Sequence, residues 1–151
     1  MPYSIGEVSE RTGIAASTLR YYDKEGLLPF VERTPGGIRM FSDADLDSLH
    51  VIDCLKKTGL SIKNIRRFMD WSREGSSTFG ARLEMFRERR TAVQAQMEEL
   101  QRALDLIEYK CWYYGAAIEA GTDEGLADLP IEQLPEQARP ARRRMDDSRS
   151  A

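Results

Sequence analysis

Residues 4–41 read SIGEVSERTGIAASTLRYYDKEGLLPFVERTPGGIRMF, and the punctuation of this stretch decides the fold. Ser4-Ile5-Gly6-Glu7 has the form of a capping box, a hydroxyl acceptor with a carboxylate three residues on. It predicts a short helix with Ile5 and Val8 inward, stopped at Gly13. Residues 16–24 predict a second helix closed at Gly26, after which Leu27-Leu28-Pro29 cannot continue it. Residues 30–41 then predict a hairpin: Phe30 to Arg33, a turn at Thr34-Pro35-Gly36-Gly37, and Ile38 to Phe41. A helix, a short turn and a helix can seat the start of the second helix in a DNA major groove. Here that helix carries Ser17, Thr18, Arg20, Tyr21 and Tyr22, hydroxyls and a guanidinium suited to phosphate oxygens and base edges.

Ser42-Asp43-Ala44-Asp45 opens a third helix, with Leu46, Leu49, Ile52 and Leu55 inward and an end at Thr58-Gly59. Ser61 caps a fourth, whose apolar stripe is Ile62, Ile65, Phe68 and Met69. Residues 72–78 form a polar break, read as a linker. From Phe79 the pattern changes. Phe79, Leu83, Phe86, Val93, Met97, Leu100, Leu104, Ile107, Cys111, Tyr114 and Ile118 keep alternating steps of four and three, with Arg90 in the single gap. Such a seam, sustained without proline, predicts one helix over residues 79–120, roughly 60 Å long. A seam of that length needs a partner helix, so residues 79–120 are expected to form a coiled coil between two copies. Beyond Gly121 periodicity is lost, and Pro130, Pro135, Pro140 and the Arg142-Arg143-Arg144 run predict a short effector-proximal region and a solvated, flexible tail over 121–151. One short helix near residues 131–134 is the exception. The expected organisation is therefore a mainly α chain: a winged helix-turn-helix domain over residues 1–71, a linker over 72–78, and a dimerisation helix.

The chain has 151 residues and a net charge of −3. Residues 1–77 hold 11 basic and 11 acidic side chains, and residues 78–151 hold 11 and 14. This balance argues against a sequence-blind binder held by charge alone, since phosphate affinity depends on where basic groups sit. No apolar run is long enough to span a membrane and no signal segment opens the chain, so the expectation is a cytoplasmic protein without a membrane partner. The two cysteines, Cys54 and Cys111, are far apart and form neither a disulfide framework nor a paired metal site. His50 stands alone and reads as a surface residue. No nucleophile–base pair, metal set or phosphate-cradling glycine loop is present, so neither an enzyme nor a cofactor is expected.

Ser4 to Val8, Thr18 to Asp23, Gly26 to Pro29, Arg39-Met40-Phe41 and Leu55 to Ser61 together resemble the DNA-binding domain of MerR-type transcription regulators over about residues 3–71. The resemblance implies a winged helix-turn-helix dimerised through an antiparallel coiled coil. It implies binding to a pseudo-palindrome between widely spaced promoter elements, where RNA polymerase also sits, with the DNA bent and untwisted to bring those elements into phase. Bending of this kind costs several kcal/mol, on the order of 1–6, and needs extra contacts to offset it. By the same resemblance Ser17, Thr18, Arg20 and Tyr21 fall on the recognition helix and Arg39 on the wing. Lys56 and Ser61 fall near a second phosphate-contacting helix pair. Tyr21 and Tyr22 are adjacent on a helix, so one packs inward and one faces out; the resemblance puts Tyr22 at a phosphate.

The chain lacks the cysteine pattern of the metal-sensing branch, so no metal is expected. Cys54 precedes Lys56 and Lys57 within one turn, and cationic neighbours favour the reactive thiolate. Members that respond to aldehydes or other electrophiles resemble this chain in having a cysteine here and in the block from Tyr109 to Tyr114. Cys54 is thus either a sensor or a small packing residue, and Cys111, on the seam, reads more readily as packing. Trp112, Tyr113 and Tyr114 either wall an effector pocket or form the splayed end of a dimer core. The leading reading is a regulator switched by a small molecule or a thiol-reactive signal. An architectural DNA-binding protein not tied to promoters is the alternative.

Overall fold

The computed structural model describes residues 2–151 and divides into two compact units, with the boundary between Ala92 and Val93. The first unit opens with α1 (Ile5–Thr12), where both arms of the capping box form: Ser4 N donates to Glu7 Oε2 at 2.8 Å and Glu7 N to Ser4 Oγ at 3.4 Å. Gly13, with φ of 72°, ends it in the left-handed region. α2 follows (Ala16–Lys24), and then a hairpin of β1 (Glu32–Arg33) and β2 (Arg39–Met40), paired antiparallel with Arg33 opposite Arg39. Its strands are shorter than the hairpin expected over residues 30–41, because Val31 N is drawn back to Leu28 O (3.3 Å). Phe41, beyond β2, instead exchanges both backbone hydrogen bonds with Tyr3.

α3 (Asp43–Lys57) starts on a second complete capping box, Ser42 with Asp45, and α4 (Ile62–Glu74) starts on Ser61, whose hydroxyl accepts from Asn64 N at 3.2 Å. Val8, Leu19, Tyr22, Leu27, Phe41, Leu49, Ile52, Leu55 and Ile65 form the centre of one core, so each of these helices contributes its predicted apolar face. Arg66 of α4 donates from Nε to Glu25 O (2.8 Å), satisfying an orphan carbonyl at the end of α2.

Residues 72–78 are not a loose linker. α4 runs to Glu74, Gly75 turns with φ of 90°, and a single 3-10 turn (Ser76–Thr78) leads directly into α5 (Phe79–Ala120). The buried Thr78 hydroxyl lies 2.6 Å from Trp71 O and accepts from Arg82 Nε at 3.1 Å, which stitches the corner. Within this unit Phe86 meets Phe68 edge to face, ring centres 5.4 Å apart. α5 is one unbroken helix of 42 residues.

The second unit corrects the expectation of a flexible tail. Single 3-10 turns at Leu126–Asp128, Ile131–Gln133 and Glu136–Ala138 are followed by α6 (Arg139–Ser150), and Leu134, Ala138 and Ala141 are buried against Tyr109, with Trp112 and Tyr113 packed alongside. Arg144 pairs with Asp105, and Arg139 Nε donates to Leu134 O at 2.9 Å. The prolines read as breakers each start an element: Pro130 and Pro135 precede 3-10 turns and Pro140 lies in the first turn of α6, where a missing N–H costs nothing. Among the described residues no helix is long and apolar enough to cross a membrane.

Candidate nucleic-acid interface

α2 presents a polar stripe at helical spacing. Ser17, Arg20, Tyr21 and Lys24 are exposed, Thr18 is half-buried, and Leu19 and Tyr22 are buried on the opposite side. Tyr21 is 45% exposed and Tyr22 3%, so the outward ring is Tyr21, and the placement of Tyr22 at a phosphate is corrected. The physical reason is spacing: Tyr22 lies three residues after Leu19 and shares its inward face. Burial also holds the Tyr22 phenol above its ordinary pKa, which keeps it neutral. Lys24, seven residues after Ser17 on the same stripe, was missed by the reading of single residues. The N-terminus of α2 is capped by Ala15 with no side-chain hydrogen bond, which leaves its first amides open towards an anion.

The wing is fixed to the end of this helix through one carboxylate. Asp23 Oδ2 accepts from Arg33 Nη2 (2.6 Å), Arg39 Nε (2.8 Å) and Arg39 Nη2 (2.5 Å). Arg39, expected as a free backbone-contacting side chain, therefore has two of its nitrogens committed inside the protein, and Arg33 joins it there. At the turn Gly37 N donates to Thr34 O at 2.8 Å, and Gly37, with φ of 81°, supplies the left-handed residue such a turn needs. Lys56 and Ser61 are exposed near the α3–α4 junction. Lys57 is held by Asp53 at 2.7 Å, which raises its pKa and keeps it charged.

Of the sensor candidates, Cys54 lies in the first unit and Cys111, Trp112, Tyr113 and Tyr114 lie in the second. Cys54 and Cys111 are both exposed, on α3 and α5, and His50 is exposed on α3. Trp112 and Tyr113 lean on Tyr109 under the 126–150 segment, and Tyr113 OH donates to Asp123 Oδ2 at 3.0 Å. Tyr114 is on the exposed seam, beside an open depression of about 440 Å³ shared with Ile118 and Gly121. Trp112 and Tyr113 are thus packed against the cluster that holds Leu134 and Ala138, whereas Tyr114 stays open beside the depression.

Residues 3–71 match the MerR HTH family regulatory proteins and residues 46–108 match the MerR DNA-binding family. An uncharacterized HTH-type transcriptional regulator of Haemophilus influenzae is 44% identical over 136 residues, covering 90% of this chain and 98% of the relative. The chain belongs to the MerR family. It is also similar to the HTH-type transcriptional regulator YfmP of Bacillus subtilis, 34% identical over 109 residues, 70% of this chain and 78% of that protein. Among solved structures it resembles HiNmlR, a MerR family regulator lacking the sensor domain, bound to promoter DNA. That likeness has a TM-score of 0.73 and 44% identity, over 83% of this chain and 99% of that one. The winged helix-turn-helix and the long helix are thus those of MerR-family DNA-binding transcription regulators, not of enzymes.

Proposed function

We propose that this MerR-family chain acts in the cytoplasm as a homodimer. Its two winged heads grip a promoter pseudo-palindrome beside RNA polymerase, and bend and untwist it in response to a thiol-reactive or small-molecule signal. The observation that carries the dimer is the seam of α5. Phe79, Leu83, Met97, Leu100, Leu104, Ile107, Tyr114 and Ile118 are all exposed along it, with Leu100 at 70% and Ile118 at 80%. Apolar residues at heptad spacing left in water call for a second helix of the same repeat.

The DNA ligand is supported by the exposed stripe of α2, by the wing clamped beside it, and by a 44% identical relative bound to promoter DNA. Two heads on one dimer match two half-sites related by the same two-fold axis. For the signal, the segment after Ala120 is occupied in covering Tyr109, so the exposed Cys54 thiol on α3 is our assignment for the electrophile.

Sedimentation of the purified protein, with energy transfer between dyes at the two ends of an operator duplex, tests the reading. It expects a dimer, and end-to-end transfer that rises on binding. A monomer in dilute solution that leaves the duplex straight overturns it.

A further inference from the structure

The side of α5 turned away from the heptad seam carries Arg102, Leu106, Tyr109 and Tyr113, at steps of four, three and four. The segment ending in α6 packs on Tyr109 and Tyr113. It leaves Leu106 uncovered. Leu106 is 45% exposed, and it is the one large apolar residue of α5 left exposed away from the seam. A helix paired along the seam would lie on the opposite side of α5 and would not reach it. Beside Leu106 is a depression of about 260 Å³, whose apolar lining is completed by Ala141 and Met145 of α6 and whose charged lining is Arg102 and Arg144. We infer that this depression between α5 and α6 binds a small organic carboxylate, with its apolar body on Leu106, Ala141 and Met145 and its charge between Arg102 and Arg144. The site is distinct from Cys54 and stands whether or not that thiol senses an electrophile.

Charge decides what fills it. Asp105 is already committed, since its Oδ1 accepts from Gln101 Nε2 at 2.8 Å and its Oδ2 from Arg144. Asp146 is held by Arg142 at 3.1 Å. Arg102 forms no ion pair among the described residues, although Glu98 and Glu99 lie one turn before it. Ser148, also in the lining, donates its hydroxyl proton to Met145 O at 2.9 Å and so offers an anion none. The donors that remain are guanidinium N–H groups, whose planar forks match a carboxylate. An apolar cation or a neutral hydrocarbon would leave Arg102 beside it without a counter-charge. Size narrows the class further. The volume is below the about 300–1,000 Å³ of drug-sized sites, which limits the ligand to one ring or a short chain. Met145, unbranched and adaptable, suits apolar bodies of more than one shape. An exposed ion pair contributes little by itself, so the charge and the apolar body must act together.

Calorimetric titration of the full chain, in a Cys54→Ser background, tests the site with benzoate as the probe. Benzyl alcohol supplies the ring without the charge, and inorganic phosphate the charge without the ring. The expected result is saturable binding of benzoate at one site per chain, about tenfold tighter than either control. Arg102→Gln and Leu106→Ser should each weaken benzoate about tenfold. Both side chains are exposed in the free chain, so helix content by circular dichroism should match the parent. Benzyl alcohol or phosphate binding as tightly as benzoate overturns the proposal, and so does benzoate affinity unchanged in both variants. A second measurement needs no variant at these positions: with carbon-13 methyl methionine, benzoate should shift the Met145 signal. A shift confined to Met97, on the seam, overturns the placement. Oligomeric state does not enter these readouts, so failure of this site and failure of the dimeric reading are told apart.

Discussion

Arg39 and Asp23 are joined by two hydrogen bonds to a single carboxylate oxygen, at 2.8 and 2.5 Å, with both side chains largely shielded from solvent. The pair ties the second strand of the wing to the last turn of α2, so the spacing between the two elements proposed to face DNA depends on one acid. Removing a carboxylate near DNA should raise affinity if only long-range charge mattered. The clamp predicts the reverse. Asp23→Ala frees two guanidinium groups and loosens the wing, and should weaken operator binding by about 1–3 kcal/mol. Arg39→Ala should cost a similar amount, with the dimer intact. Anisotropy titrations at one fixed salt concentration, run as a double-mutant cycle, should give losses that fall well short of additive. Tighter binding by Asp23→Ala would sink the clamp.

The adjacent tyrosines should separate cleanly. Tyr22→Ala empties a site in the core and should lower stability by about 3–5 kcal/mol, the range for a buried aromatic. Tyr21→Ala should leave stability within about 0.5 kcal/mol and weaken DNA binding instead. Arg20→Ala should cost about 1–3 kcal/mol if it reads a base, relaxing specificity at one position, whereas loss of a phosphate contact lowers the salt slope by about one. Urea melts and salt-series titrations of the three variants check this. A stable Tyr22→Ala protein would contradict the core assignment.

These two contrasts mark where the sequence was legible. Both capping boxes, the glycine stops and the heptad seam are local signals within a few residues, and helices follow them to the residue. The inward face of Tyr22 was also written locally, three residues after Leu19, but the family pattern outweighed the spacing. Asp23 is different. Its three hydrogen bonds come from residues 10 and 16 positions away, so no window of helical or strand periodicity contains them. Over residues 121–151 the sequence is ambiguous, because Pro130, Pro135 and Pro140 look the same whether they break a helix or begin a turn. What distinguishes them is the apolar surface of Tyr109 and Trp112, which Leu134 and Ala138 cover.

Cys54→Ser should abolish the response to electrophiles such as aldehydes while leaving operator affinity unchanged. The thiol is exposed, so serine disturbs no core packing. Cys111→Ser should keep the response, because in the proposed dimer that thiol lies on the seam and would be covered by a partner helix. The readout is transcription from an operator-linked promoter with and without the electrophile. A full response from Cys54→Ser would eliminate this thiol as the sensor.

The second unit should loosen in acid. The hydrogen bond from Arg144, reinforced by one from Gln101, holds the Asp105 carboxyl below its ordinary pKa. A carboxylate depressed in the folded state stabilises fully above its unfolded pKa of about 3.9, and that contribution is lost as pH falls below it. Docking of α6 should therefore weaken below about pH 4 in the native chain. Asp105→Asn, which has no such proton to gain, should start weaker at neutral pH and lose this part of the acid dependence. Trp112, packed against the cluster, reports the change by fluorescence in a Trp71→Phe background. Leu134→Ala is the independent check. It removes a fully buried side chain and should cost about 2–5 kcal/mol at any pH, shifting the Trp112 signal without altering its acid midpoint. If Asp105→Asn kept the native acid profile, the Arg144 pair would not be what holds α6 in place.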